Sequence, residues 1–169
     1  MKRIYSVLVA LCTVSICAAQ MHKGESLINV GMGLAPGIGV NASYDYGLID
    51  TWGPGLFTVG GFVGLQTWSD KETIILYTEN YSAKQTAFAV RATYRYPINE
   101  QFEVFGAALS GFYIESYSFK NKNLKKDNET NALFSVYAGC RYSFSPNVAV
   151  FAEVGSGLYW LNGGLCFNF

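Results

Sequence analysis

The sequence predicts an all-β protein, an eight-stranded antiparallel up-and-down transmembrane β-barrel. Three observations lead there. The 169 residues are 16% aromatic and hold 18 glycines but are only 14% charged, a mix that suits strands and tight turns better than helices. Segment after segment alternates with period two, one face greasy and uncharged, the other small, polar or charged. Pairs of aromatics close every second segment, and the two longest polar stretches fall at the opposite ends of the segments, the asymmetry of a barrel in a bilayer.

The chain begins with a basic start, Lys2 and Arg3, an apolar run from Ile4 to Ile16, and the small residues Cys17, Ala18 and Ala19. This is the layout of a secretory signal peptide. Residues 1–19 are therefore read as signal and 20–169 as the barrel domain. The apolar run is short for a membrane-spanning helix, and Ile16 before Cys17 disfavours a lipoprotein signal. Cleavage removes Lys2 and Arg3, which leaves two more acidic than basic residues and no basic footprint for nucleic acid. Cys140 and Cys166 remain; they could pair, but two cysteines are no disulfide framework.

Turn-forming clusters then divide the chain into eight predicted strands, at 25–35, 38–46, 55–67, 83–96, 101–117, 131–144, 147–155 and 158–169. The charge-free window Thr51–Ser69 is no helix, because it holds Pro54 and five glycines, which cost a helix about 3 and about 1 kcal/mol each. In the fourth strand Phe88, Val90, Ala92, Tyr94 and Tyr96 share one face, with Arg91, Thr93 and Arg95 opposite. In the sixth, Phe134, Val136, Ala138, Tyr142 and Phe144 lie against Ser135, Gly139 and Arg141. In the eighth, Tyr159, Leu161, Leu165, Phe167 and Phe169 lie against Trp160, Asn162, Cys166 and Asn168.

Either the greasy face turns inward, as in a soluble lipocalin-like carrier, or it turns outward into lipid. The aromatics favour lipid. Tyr44 and Tyr46, Tyr94 and Tyr96, Tyr142 and Phe144, and Phe167 and Phe169 close the even segments, and Phe57 and Phe102 open odd ones. In an up-and-down barrel all ten fall at one rim, a girdle at a membrane interface. The polar stretches 69–82 and 118–131 are read as long outer loops, in which Tyr77 and Tyr81 could extend strands beyond the membrane. The connections 97–100 and 145–147 are read as short periplasmic turns, and 47–54 is long for one.

The final stretch FAEVGSGLYWLNGGLCFNF resembles the last hairpin of small barrels in the porin-like outer-membrane protein family. Over about residues 24–169 the chain is similar to eight-stranded OmpA-type and OmpX-type barrels. The resemblance implies the outer membrane of a Gram-negative cell and recognition of the terminal strand, ending on Phe169, by the barrel-assembly machinery. The partners expected are that machinery, outer-membrane lipid and lipopolysaccharide, with no nucleic acid and a monomeric barrel.

Chemistry is sparse. The one histidine, His22, precedes the first strand, so a Ser-His-Asp arrangement cannot be built in the barrel. No catalytic residue, metal site or cofactor is expected. Arg91, Arg95, Arg141, Asp45, Glu103, Glu115 and Glu153 all take the non-greasy face. They are read as a luminal charge network in which Arg141 or Arg91 pairs with Glu153 or Glu103. An eight-stranded barrel is about wide enough to be filled by side chains, so a plugged lumen is expected, with a narrow channel as the alternative. Glycines at 31, 33, 60, 64, 111, 139 and 164 are expected to make room. Lys120, Lys122, Lys125 and Lys126 form a basic loop patch that is either solvated or meets an anionic surface. The role expected is structural or surface-interacting, in the manner of an adhesin.

Overall fold

The computed structural model describes residues 20–35, 37–50, 53–74, 77–119 and 128–169, with side chains described outside 69–82, 117–119 and 128. The expected signal, residues 1–19, and the patch Lys120, Lys122, Lys125 and Lys126 lie outside the described residues. Eight strands follow one another: β1 Ser26–Leu34, β2 Ile38–Ile49, β3 Leu56–Ile74, β4 Tyr77–Pro97, β5 Phe102–Phe119, β6 Asn128–Ser145, β7 Val148–Ser156 and β8 Leu161–Asn168. Each pairs antiparallel with the next, and β8 closes on β1 from Leu27↔Asn168 to Leu34↔Leu161. Closure leaves no unpaired edge, which a sheet surrounded by lipid requires.

The alternation decides which face is inside. On β2, Asn41, Ser43 and Asp45 are buried, whereas Val40, Tyr44 and Tyr46 are exposed. Around the barrel the exposed side chains are Val30, Met32, Leu65, Val90, Phe134 and their neighbours. Such a continuous apolar belt far exceeds what a soluble monomer shows to water. Inside lie Arg91, Arg95, Arg141, Glu103 and Glu153, all buried. The carrier reading, with grease inward, is thereby overturned: the greasy face turns outward, and the charged face lines the lumen together with Leu27, Phe62, Phe105, Leu109 and Phe151.

Several strand boundaries differ from the sequence reading, β2 running on to Ile49 among them. The stretches 69–82 and 118–131 are not simply loops. The β3–β4 ladder continues to Ile74↔Tyr77, β5 runs to Phe119 and β6 starts at Asn128. Hydrophobic alternation marks a strand only where its two faces meet different media. Where both faces meet water the pattern disappears, although the backbone ladder persists. Another difference is at the end: β8 begins at Leu161, not at 158. Gly157, at φ 125°, adopts a backbone that favours glycine, and Leu158 and Tyr159 turn back into the barrel.

Candidate functional site

The centre of the lumen is a chain of alternating charge. Glu153 on β7 accepts from Arg91 Nη2 on β4 at 2.7 Å. Arg91 Nε stands 3.8 Å from Asp45 on β2. Asp45 in turn accepts from Arg95 Nη2 at 2.8 Å. Arg95 Nη1 reaches Glu103 on β5 at 2.6 Å, and the other Glu103 oxygen lies 3.4 Å from Arg141 Nη1 on β6. Three cations and three anions balance. Amides extend the chain at three points: Asn29 donates to Asp45 at 3.0 Å, Asn162 to Glu153 at 2.7 Å, and Arg141 donates to Asn168 at 2.9 Å. The Phe105 ring lies 5.9 and 5.3 Å from the guanidinium carbons of Arg91 and Arg95, within cation–π reach.

Register explains this meeting. Asp45, Gly60 and Arg91 face one another across β2, β3 and β4, and Glu103 is the direct partner of Arg141. Arg91 and Arg95, four apart on β4, share the inner face. Glu115 also faces inward but stands half-buried, opposite Gln85 and Glu129. It lies six residues beyond Leu109, the neighbour of Arg91, roughly 20 Å further along the strand. The charge chain does not extend to it.

The lumen is sealed toward the long hairpins, and at the other end the N-terminal segment covers a cavity of about 260 Å³ that reaches Arg95 and Glu103. Toward the long hairpins, Leu158 and Tyr159 are buried. Their backbone N–H groups donate to Ser135 Oγ and the Tyr137 hydroxyl, both at 3.1 Å, and the Tyr159 hydroxyl donates to the carbonyls of Val40 and Leu65 at 3.4 Å. A Cβ at Gly33 or Gly39 would strike the Tyr159 ring, and one at Gly139 the Phe105 ring. Gly60, Gly111 and Gly164 instead press on the backbone of the neighbouring strand, so they admit close strand approach and not large side chains. Tyr159 and Trp160 exchange the sides the sequence reading gave them: Tyr159 is 1% exposed and Trp160 64%. The turn at 157–160 lies outside the ladder, so alternation does not govern it. At the other end Met21 is buried. Its segment is tied down by Gln20 Nε2 donating to Asn99 O, and by Gly24 N to Gly47 O, both at 2.9 Å.

The ten aromatics of the girdle all face outward at the rim that carries the turns 98–101 and 146–147. Tyr44, Tyr46, Tyr96, Tyr142, Phe144 and Phe169 are exposed; Phe57, Tyr94, Phe102 and Phe167 are half-buried. Phe57 pairs with Tyr94 and Phe102 with Tyr142, while the Tyr142 and Phe144 rings meet edge-on at 5.5 Å. Cys140 faces outward and Cys166 inward, with β7 between their strands; both are free thiols.

The sequence reading missed an outer cup of about 420 Å³ above the Tyr159 seal, walled by Gln66, Trp68, Gln85 and Tyr113 over Leu133 and Leu158. Gln66 is buried, and its Oε1 has no hydrogen-bond partner among the described residues. The signal was present: Gln66 and Trp68 continue the inner face of β3 past Gly64. The predicted strand ends at 67 and the polar stretch begins at 69, so Trp68 is assigned to neither.

At the level of families, residues 8–164 match the outer membrane protein beta-barrel domain. No curated protein matches the chain. Among solved structures, the N-terminal β-barrel domain of Pseudomonas aeruginosa OprF is similar with a TM-score of 0.56 and 16% identity, covering 88% of this chain and 100% of that one. The attachment invasion locus protein Ail of Yersinia pestis is similar with a TM-score of 0.53 and 18% identity, covering 87% and 99%. Ail in complex with the heparin analogue sucrose octasulfate matches equally well. At these identities the likeness is one of fold.

Proposed function

We propose that this chain, which belongs to the outer membrane protein β-barrel family and lies in the bacterial outer membrane, works as a surface-interaction protein and not as a pore. The observation that carries this reading is the projecting sheet. A bilayer needs strands of only about 9–11 residues. β1 and β7 have 9 residues and β8 has 8, whereas β3, β4, β5 and β6 have 19, 21, 18 and 18. With the girdle fixing one rim, the surplus of β4 stands roughly 30 Å beyond the lipid at ordinary strand rise and tilt. Among the described residues the four strands stay paired together only to the level of Lys84, beyond which the projection narrows toward the β3–β4 hairpin, and this paired surface outside the membrane contributes nothing to spanning it. The closure of the lumen at its outer end by Leu158 and Tyr159 supports the same reading. So does the fold likeness to Ail, whose name records attachment and invasion.

Outer-membrane lipid and lipopolysaccharide are the proposed surroundings, the barrel-assembly machinery the proposed partner during insertion, and a monomer the proposed state. Expression in a non-adherent Gram-negative host tests the role. Bacteria displaying the intact barrel should attach to host cells or matrix proteins. A variant with the tip 72–79 replaced by a two-residue turn should not attach, while still shifting between unheated and heated SDS samples. Equal attachment by both, or by neither, defeats the proposal. The channel alternative draws on the polar luminal chain and is tested separately. Planar bilayers holding the purified barrel should show no steady conductance steps, and steps would replace the sealed-plug reading with the channel.

A further inference from the structure

We infer that the outer cup is a binding site for a neutral saccharide. The inference deepens the surface-interaction reading and rests on it, since it names the ligand class of the exposed end. The cup's volume, about 420 Å³, falls in the range of small-ligand pockets, roughly 300–1,000 Å³, with room for a sugar ring and part of its neighbour. Trp68 and Tyr113 line it with aromatic rings that carry a polar edge, the side-chain type that packs against the C–H face of a pyranose. Gln66 and Gln85 supply amides, which donate and accept at once, as sugar hydroxyls do. Among the described residues the buried Gln66 Oε1 has no partner, so an incoming hydroxyl would give it a hydrogen bond that none of them supplies. Leu158 and Leu133 close the floor.

Charge selects among sugars. Among the described residues no charged side chain walls the cup. At its outer edge, Glu115 and Glu129 are direct register partners on the inner face, level with Gln85 and two residues beyond Tyr113 along β5. Two carboxylates there repel sulfated or carboxylated glycans and accept from hydroxyls. That chemistry is opposite to what the heparin analogue bound by Ail demands. A cationic ligand fits less well, because the carboxylates stand at the rim and the body of the cup offers amides.

The test uses the whole barrel in lipid nanodiscs, free of sugar-based detergent. The nanodiscs are applied to immobilised neutral oligosaccharides ending in glucose, galactose, mannose or N-acetylhexosamine. Heparin fragments and choline-bearing beads stand beside them. Retention on at least one neutral class is expected. Trp68→Ala and Gln85→Ala should each weaken it tenfold or more, with the heat-dependent SDS shift unchanged as proof of folding. Retention on heparin or choline alone, no retention on any neutral sugar, or folded variants that bind like wild type would each overturn the inference. Cell attachment separates the two readings. If wild-type cells attach but no neutral sugar is retained, the saccharide site falls and the surface role stands. If a sugar is retained but cells do not attach, the reverse holds.

Discussion

Replacing Arg95 by alanine should be among the most damaging single changes in the barrel. The Arg95 guanidinium bridges Asp45 at 2.8 Å and Glu103 at 2.6 Å and packs on Phe105 at 5.3 Å. Asp45 is fully buried, so without Arg95 it keeps only Arg91 at 3.8 Å and the Asn29 amide. Glu103 would lean on Arg141 at 3.4 Å. Breaking a buried pair from one side costs roughly 3–5 kcal/mol, because the charge left behind stays desolvated. The control is Lys23→Ala, whose partner Asp50 lies 3.9 Å away with both side chains more than half exposed. Exposed pairs contribute about 0–1 kcal/mol. Urea unfolding in lipid vesicles, followed by tryptophan fluorescence and by loss of the compact unheated band, measures both. The double change Arg91→Met with Glu153→Gln removes the terminal pair and keeps the remaining charges balanced, so it should cost less than Arg91→Met alone. If Arg95→Ala costs no more than Lys23→Ala, water reaches the centre of the lumen and the sealed-plug argument is wrong.

The outer seal should be openable: Tyr159→Ala removes the ring packed over Gly33 and Gly39, and entry of a small polar quencher toward the lumen should rise above the wild-type level. Gly139→Val would drive a side chain into the Phe105 ring and the Ala152 carbonyl, so it should lower stability by about 1–3 kcal/mol in the same urea assay. Orientation is checked by labelling intact cells with an impermeant maleimide. A cysteine replacing Lys122 should react and one replacing Asn99 should not, and the reverse pattern would invert the barrel.

The fold was legible because a bilayer imposes period two on every spanning strand, and the sequence keeps it without a fault from Phe88 to Tyr96 and from Ala132 to Phe144. The glutamate–arginine meetings were half legible. Face could be read from parity, but which arginine meets which carboxylate depends on strand register, and bulges at Gly47/Ile49 and Ser143/Ser145 shift it in ways that composition does not mark. Hence Asp45, bridging two arginines, became central, while Glu115, on the same face, stands elsewhere. Tyr159 was misplaced for a different reason: a residue in a turn follows local backbone angles and not the pleat. The cup was missed because it sits where the lipid pattern ends.

Why the lumen keeps six charges calls for a reason other than stability, since well-packed apolar side chains of similar volume would commonly serve as well or better. Register supplies one. If the interior were as apolar as the exterior, a one-residue slip of β4 against its neighbours would exchange two greasy faces at little cost. With the charges in place the same slip sends Arg91 into lipid, at a cost of up to about 2–4 kcal/mol toward the midplane, and Arg95 out at the girdle level, at about 0–1 kcal/mol, and turns Phe88 and Val90 onto Asp45 and Glu103. The charges thus make the correct pairing the only one compatible with the membrane. A lumen carrying Arg91→Met, Arg95→Met, Asp45→Leu, Glu103→Leu, Arg141→Met and Glu153→Leu should therefore still insert, but into several registers, visible as multiple compact bands in unheated samples. A single sharp band at the wild-type position would show that turns and girdle alone fix the pairing.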